Sequence, residues 1–395
     1  MTTNPARRIR LGGLAKELLW RCAFVFGTRP EAIKIAPVVR ALRSRGLRPY
    51  LISTGQQLDL VRQTRDALAM EVDVDLGLMR ADQPPATFLG LCLTGLPQVL
   101  ASRRPTAVFV QGDTTSALAG ALCAHYLKIP LIHIEAGLRT NDLANPFPEE
   151  AHRQLIARIA DVHLCPTPGD REALAAEGID PDRIAVVGNT VIDLLRERNP
   201  SSSAQTGGSS VLVTTHRREN FDGPLLAIVA AVRRLATLHR EVEFFVPVHP
   251  NPRVAPVVRE GLSSQANVRL CEPLAYPDFI ERLACCRLVI TDSGGVQEEA
   301  AYLGKPVVIV RKCTERRLGV AIGSAFLAGG NADDIVRLGE ELLQDSTRYR
   351  AASQPRRLYG DGFAADRIVR LLSGEPIDEF VPETEPSDCV LVTST

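Results

Sequence analysis

Short runs of β-branched and aromatic residues recur along this chain, each ending in a polar residue or glycine and each followed by a helical pattern. Cys22-Ala23-Phe24-Val25-Phe26 runs into Gly27-Thr28-Arg29-Pro30-Glu31, Ala107-Val108-Phe109-Val110 into Gln111-Gly112-Asp113, and Leu131-Ile132-His133-Ile134 into Glu135. Residues 48–53, 162–165 and 184–187 are further runs of the same kind. Runs without polar alternation are strands covered on both faces. Between them, Ile33, Ala36, Val38, Ala41 and Leu42 fall roughly at helical spacing, and residues 58–68, 88–100, 116–126 and 151–160 also read as helices. Alternating strands and helices predict an α/β fold with a doubly wound parallel sheet. Ligands of such sheets bind at the carboxyl ends of the strands. Arg29, Asp113 and Glu135 fall there.

A polar stretch, Asn199-Pro200-Ser201-Ser202-Ser203-Ala204-Gln205-Thr206-Gly207-Gly208-Ser209-Ser210, reads as a flexible linker. A second alternating series starts at Val211 and includes runs at 244–248, 268–270, 288–290 and 307–310. The expected organisation is an N-terminal extension (1–21), a Rossmann-like domain (22–198), the linker (199–210) and a second Rossmann-like domain (211–362). A helix at 363–374 returns to the first domain, and 375–395 is an acidic, disordered tail. Two such domains facing across a cleft are the simplest assembly, and clefts of that kind favour ligands.

The second series contains Thr291-Asp292-Ser293-Gly294-Gly295-Val296-Gln297-Glu298-Glu299, directly after the apolar run Leu288-Val289-Ile290. A strand, a Ser-Gly-Gly turn and a helix start make an anion cradle. Gly294 and Gly295 permit close backbone approach, and free N–H groups at the helix start face the ligand. The helix dipole contributes ~0.3–1 kcal/mol per nearby negative charge, enough to position a phosphate but not to bind it alone. Glu298 and Glu299, a turn later, suit ribose hydroxyls. The competing reading is a Ser293 N-cap with acids favouring the helix start. The segment by itself leaves both open.

Among the 395 residues, Lys plus Arg and Asp plus Glu number 46 each, so bulk charge supplies no attraction for nucleic acid or an acidic membrane. Nine cysteines without a Cys-x-x-Cys pair read as buried apolar residues in a reducing compartment, with no zinc site. No apolar run is expected to approach the ~18 residues of a membrane span. The basic start, Ala6-Arg7-Arg8-Ile9-Arg10, lacks the apolar segment of a secretory signal. A cytoplasmic protein is expected.

Cationic residues collect at His216-Arg217-Arg218-Glu219-Asn220, His249-Pro250-Asn251-Pro252 and Thr314-Glu315-Arg316, with Arg29 and Lys34 expected about one helical turn apart on one face in the first domain. Together they suit a pyrophosphate. The first domain also carries Asp113, Glu135, Glu149 and Glu150 at strand ends or in loops. Asp113 taken singly could equally cap the helix that follows. Several acids opposite a phosphate site suit proton transfer beside a sugar ring and stabilisation of an oxocarbenium-like state.

These motifs, with Val187-Gly188-Asn189-Thr190-Val191-Ile192-Asp193, resemble the non-hydrolysing UDP-N-acetylglucosamine 2-epimerases across residues 22–372, in that family's order. The resemblance implies a GT-B-like pair of Rossmann-like domains and interconversion of UDP-GlcNAc and UDP-ManNAc. The implied route eliminates UDP to a 2-acetamidoglucal and adds it back. By motif, Asp113, Glu135 and Glu149 are the acid/base residues. Arg29, His216, Ser293 and Arg316 hold the phosphates, with His216 counted in the catalytic set. Lys34 and Arg153 shape the sugar side, Glu299 takes the ribose, and Tyr276 in the loop from Pro273 lies by the uracil. No metal or other cofactor is implied, and a homodimer is.

Three departures stand out. Arg317-Leu318 replaces the family's Pro-Glu, and His152 replaces the Asn before Arg153. Gly55-Gln56-Gln57-Leu58-Asp59 keeps only Gln56 of a stretch tied to activation by a second UDP-GlcNAc, so that activation is expected to be weak or lost. Rival expectations are a hydrolysing 2-epimerase that releases ManNAc and UDP, a GT-B glycosyltransferase needing an acceptor, and a non-catalytic nucleotide-sugar binder.

Overall fold

The computed structural model describes residues 19–57, 59–80, 82–200, 210–215 and 223–384. The chain forms two compact units, one of Met1–Glu197 with Tyr359–Val381 and the other of Arg198–Leu358 with Pro382–Thr395. The first series of elements is β1 (Ala23–Phe26), α1 (Arg29–Ser44), β2 (Tyr50–Ser53), α2 (Leu60–Leu68), β3 (Val74–Asp75), α3 (Pro85–Arg103), β4 (Val108–Gln111) and α4 (Thr115–Tyr126). It continues through β5 (Leu131–Ile134), α5 (Glu149–Ile159), β6 (Val162–Cys165), α6 (Pro168–Ala176), β7 (Ile184–Val186) and α7 (Val191–Arg198). The second series is β8 (Ser210–Thr214), α8 (Gly223–Leu238), β9 (Glu243–Pro247), α9 (Ala255–Leu262), β10 (Val268–Cys271), α10 (Tyr276–Cys285), β11 (Leu288–Thr291) and α11 (Gly294–Tyr302). After it come β12 (Val307–Ile309), α12 (Arg317–Ala321), β13 (Ala325–Leu327), α13 (Ala332–Gln344), α14 (Ser346–Ala352) and α15 (Ala364–Leu372).

The first unit carries a seven-stranded sheet in the order β3-β2-β1-β4-β5-β6-β7, and the second a six-stranded sheet in the order β10-β9-β8-β11-β12-β13. Every pairing is parallel. The strand order reverses between β1 and β4 in one sheet and between β8 and β11 in the other. These are the doubly wound switch points.

The cores follow from the runs. Val25, Val108, Val110 and Ile52 from the sheet pack with Ala117, Leu118, Ala121 and Ala124 of α4. The small residues of α4 let it sit close: a Cβ on Gly120 would lie 2.9 Å from Val25 Cβ. In the second unit Val211, Val213, Leu288, Ile290 and Val308 meet Ile228, Val232 and Leu235 of α8 and Ile335 and Leu342 of α13.

Several expectations change. The tail expected to be disordered from 375 is instead packed at its start. Ile377 and Phe380 are buried, Phe380 joins a core cluster with Ile184 and Val186, and its N–H donates to Val186 O at 3.0 Å. Two apolar residues amid the acids provide that anchor, and residues 385–395 lie outside the described residues. The return to the first unit starts at Tyr359 rather than 363, and α15 within it packs on α1. Asp193, buried on α7, accepts from Ala364 and Ala365 N–H at 3.1 and 2.7 Å and so caps α15.

The 19-residue α3 is long and apolar enough, with a mean hydropathy of 1.2, to match a membrane span by length and composition only. Pro97, two glycines and scattered polar residues interrupt it, so no continuous apolar run announces it. Phe88, Cys92, Leu96 and Leu100 are buried at four-residue spacing, one helix face turned to the core. Of the linker 199–210, residues 201–209 lie outside the described residues, as does residue 1–18 of the N-terminal extension.

Candidate active site

In the first unit the polar groups gather beside the switch point. A Cβ on Gly27 would fall 2.0 Å from Ser116 Oγ and 2.3 Å from Thr54 Oγ1, so only glycine lets the β1–α1 turn lie against the start of α4. Glu31 ties this turn together. Its Oε2 accepts from Gly27 N–H at 3.0 Å, and from Thr28 N–H and Oγ1 at 2.8 Å each. Its Oε1 accepts from Thr114 Oγ1 at 2.8 Å. Burial pushes the Glu31 carboxyl up to about 7, and these four donors only partly offset it. Thr114, not Asp113, caps α4, accepting from Ala117 N–H at 3.0 Å. The capping role open to Asp113 in the sequence therefore belongs to its neighbour.

Glu135 follows β5 in a left-handed conformation, φ 61°, which costs a residue with a Cβ about 1–2 kcal/mol. Its buried carboxylate is gripped from three sides by the Lys34 ammonium, the Gln111 amide and the Asn189 amide, the last at 2.8 Å. Lys34 is thus the counter-ion of Glu135. Five helix positions are about 140° apart, so Arg29 and Lys34 leave α1 on different sides and do not form one cationic lining. Arg29 is the first residue of α1, and its N–H donates to Gln57 Oε1 at 2.7 Å.

Asp113 is held by α5. Arg153 Nε donates to Asp113 Oδ2 at 2.7 Å, and His152 Nδ1 donates to the Asp113 carbonyl at 2.8 Å. The same guanidinium donates through Nη1 to Glu150 Oε2 at 3.1 Å. Glu149, half-buried, is the first residue of α5. Nearby, His133 Nε2 donates to Gly112 O at 2.8 Å, and burial holds its pKa down at about 4, so the ring is neutral. Gln56 Oε1 accepts from Ser116 N–H and Oγ at 3.2 and 2.7 Å, so Gln56 and Gln57 both brace the loop.

The second unit places Ser293 and α11 at its own switch point. Ser293 makes no capping hydrogen bond through its side chain, and no acid stands in the first turn of α11. The N-cap reading of this segment therefore loses its support. Arg316 lies over the helix start, where a Cβ on Gly294 would stand 2.7 Å from its Nη1. Its Nε donates to Glu298 Oε1 at 2.9 Å, and Nη1 pairs with Glu315 Oε1 at 3.2 Å. Arg311 holds the other Glu315 oxygen at 2.8 Å. Glu298, read from sequence with Glu299 as a ribose group, is instead a counter-ion of Arg316. Glu299 accepts from the Tyr276 hydroxyl at 2.9 Å. Tyr276 is the first residue of α10 rather than part of a loop, because Pro277 is tolerated in a first helical turn. His216 to Asn220 lie outside the described residues.

Sequence reasoning missed the partners: Gln111 and Asn189 on Glu135, Glu150 behind Arg153, and Glu31 beneath Thr114. Only the clustering of polar residues at strand ends hinted at them. Among the described residues, no group of three or more His, Cys, Asp or Glu is arranged to hold a metal ion.

Two doubly wound parallel sheets, each with charged groups gathered at the strand ends beside its switch point, define an α/β enzyme of the GT-B-like type. Residues 40–373 match the family described as UDP-N-acetylglucosamine 2-epimerase, and the chain belongs to it. The UDP-N-acetylglucosamine 2-epimerase of Yersinia pestis is 40% identical over 369 residues, covering 89% of this chain and 98% of the relative. The crystal structure of UDP-GlcNAc 2-epimerase from Neisseria meningitidis bound to UDP-GlcNAc superposes with a TM-score of 0.84 at 35% identity, over 89% of this chain and 99% of that one. The S. aureus MnaA–UDP structure gives 0.85 at 36%, over 91% and 99%.

Proposed function

We propose that this protein is a non-hydrolysing UDP-GlcNAc 2-epimerase, an isomerase that interconverts UDP-GlcNAc and UDP-ManNAc. The observation that carries the reading is the pair of carboxylates, Asp113 and Glu135, each on its own cation at the carboxyl ends of adjacent strands β4 and β5. A proton on carbon 2 has no neighbouring carbonyl to acidify it. Cleavage of the bond from carbon 1 to the UDP oxygen supplies the missing activation, because positive charge grows next to carbon 2. A carboxylate takes that proton, the carbon 1–carbon 2 double bond forms, and UDP departs with the bonding pair. Return of a proton to the opposite face and attack of UDP on carbon 1 complete the inversion.

Asp113, Glu135 and Glu149 are assigned the proton transfers. The diphosphate is assigned to Ser293, Gly294, Gly295 and Arg316 in the second unit, with His216, and to Arg29 in the first. The helix start and the guanidinium there favour the charge that UDP gains on leaving. Glu299, oriented by Tyr276, takes the ribose. Arg153 and Lys34 act through the carboxylates they hold, refining the sugar-side role the motifs imply. The chemistry proposed needs neither a metal nor a nicotinamide, and a homodimeric, cytoplasmic enzyme is part of the same proposal.

The test is incubation of purified protein with UDP-GlcNAc and chromatographic separation of products. A mixture of UDP-GlcNAc and UDP-ManNAc, approached from either side, is expected. Free ManNAc with UDP would replace this reading by the hydrolysing one, and turnover only with an added acceptor would point to glycosyl transfer. Because Gln56 and Gln57 brace the loop, rate curves in UDP-GlcNAc are expected to be hyperbolic.

A further inference from the structure

Glu150 is a completely buried carboxylate that the proposed chemistry does not use. Its Oε2 accepts from Thr140 N–H and Arg153 Nη1, both at 3.1 Å, and its Oε1 from Asn141 N–H and Gln154 Nε2, both at 3.2 Å. A carboxylate sealed from water is costly unless paired and hydrogen-bonded, and here all four contacts serve that end. What they join is informative. Thr140 and Asn141 begin the loop that leads to Glu149, and Arg153 reaches Asp113.

We propose that Glu150 is a positioning residue that acts through Arg153 on Asp113, sharing the guanidinium so that it stabilises the Asp113 charge less than it would alone. The inference rests on the assignment of Asp113 as an acid/base group. One cation between two carboxylates stabilises each negative charge less than it would stabilise one alone. Arg153 by itself would make Asp113 a poor proton acceptor, and Glu150 moderates it. The same carboxylate ties down the loop before Glu149, so the spacing of two of the proposed acids depends on it. His152 adds a third tie by donating to the Asp113 carbonyl. An asparagine amide could donate in the same way, which makes the departure at 152 chemically mild.

Among the described residues, the titratable groups around Asp113 include Glu150, His152 and Arg153 on α5, His133 on β5, Glu135 after it, and Glu31 and Lys34 on α1. Glu150 and Asp113 share the Arg153 side chain through hydrogen bonds of 3.1 and 2.7 Å.

The experiment measures kcat against pH for Glu150→Gln and Arg153→Met, with the Asp113 carboxyl followed in the substrate-free protein by carbon-13 NMR and assigned by its loss in Asp113→Asn. Glu150→Gln removes a negative charge, so the acid limb of kcat and the Asp113 titration move down by about 1 unit. Arg153→Met removes the cation, so both move up by about 1 unit or more. Glu150→Asp, which keeps the charge one methylene further away, moves them down by less, and decides the matter if the glutamine variant does not fold. Shifts of opposite sign are the signature of the relay. Unmoved titrations in both Glu150 variants, or shifts in the same direction as Arg153→Met, overturn it. If the wild type leaves UDP-GlcNAc unchanged, the proposed activity falls, and the carboxyl titration still decides the relay.

Discussion

Gly294 and Gly295 open α11 side by side, and alanine at each separates two effects. A methyl group on Gly295 meets nothing within 4 Å, while one on Gly294 stands 2.7 Å from Arg316 Nη1 and 2.8 Å from its Cζ. Alanine in place of glycine stabilises by about 0.4–1 kcal/mol where the backbone accepts it, chiefly through the unfolded chain. At 294 the guanidinium must also retreat by roughly 0.7 Å or more to reach ordinary contact distance. It cannot do so freely, because Glu298 at 2.9 Å and Glu315 at 3.2 Å hold it, and both carboxylates are sealed from solvent. Loosening a hydrogen bond between charged groups costs about 1.5–3 kcal/mol, more than the entropic gain. Gly294→Ala is therefore expected to destabilise the second unit by about 1–2 kcal/mol and Gly295→Ala to stabilise it by about 0.4–1 kcal/mol. Gly295→Ala should still weaken UDP binding about tenfold or more, since its methyl occupies the space assigned to phosphate. The only tryptophan, Trp20, lies in the first unit. Urea-dependent hydrogen exchange of the 294–303 segment therefore reads the second unit directly, with calorimetry for UDP. Equal shifts of the same sign in both variants would refute the steric argument.

Other consequences can be checked as simply. Asp113→Asn should keep UDP affinity within about twofold while kcat falls by ~10²–10⁴, and near-full activity would remove Asp113 from the acid/base set. Asp193 is raised from 3.8 to about 7, by burial first, with the Ala364 and Ala365 N–H groups opposing. The native state then binds more protons than the unfolded one between about pH 4 and 7, so this group's contribution is present at low pH and lost as pH rises through 7. Asp193→Asn should flatten that slope, by at most about 4 kcal/mol across the window, as read by hydrogen exchange in α15. His133 has the opposite sign. Burial lowers it from 6.5 to about 4, so its contribution is present above 6.5 and lost as pH falls through 4. His133→Gln should reduce acid sensitivity between those limits in urea titrations, and an unchanged acid slope would show that the ring is not held neutral.

Local sequence carried the layout well. Residues 162–165 form β6 over the expected span, α15 at 364–372 falls within the expected 363–374, and residues 131–134 form β5 with Glu135 just beyond it. The polar linker falls close to the boundary at Glu197. Among the elements that escaped are short strands and helices that begin beside a proline. β3 and β13 are two and three residues long, too short for a periodic signal. Helices α9 and α10 each carry a proline near the start, which reads locally as a turn but is compatible with a first helical turn. Asp113 and Glu135 were legible because each ends an apolar run, and Glu149 because it opens a helix after a turn-rich loop. Their partners were not. Lys34 lies 101 residues from Glu135, Asn189 lies 54 and Gln111 lies 24, while Arg153 lies 40 from Asp113. No periodicity links side chains over such separations; the parallel sheet brings them to the same end.

Incubation with UDP-GlcNAc in heavy water, followed by proton and phosphorus NMR, tests the proposed chemistry most directly. Removal and return of the carbon-2 proton at carboxylates in exchange with solvent should yield UDP-ManNAc carrying deuterium at carbon 2. The phosphorus spectrum should show the diphosphate still joined to sugar. UDP-ManNAc that retains its original proton at carbon 2, or free ManNAc accumulating with UDP, would contradict the proposed elimination and re-addition.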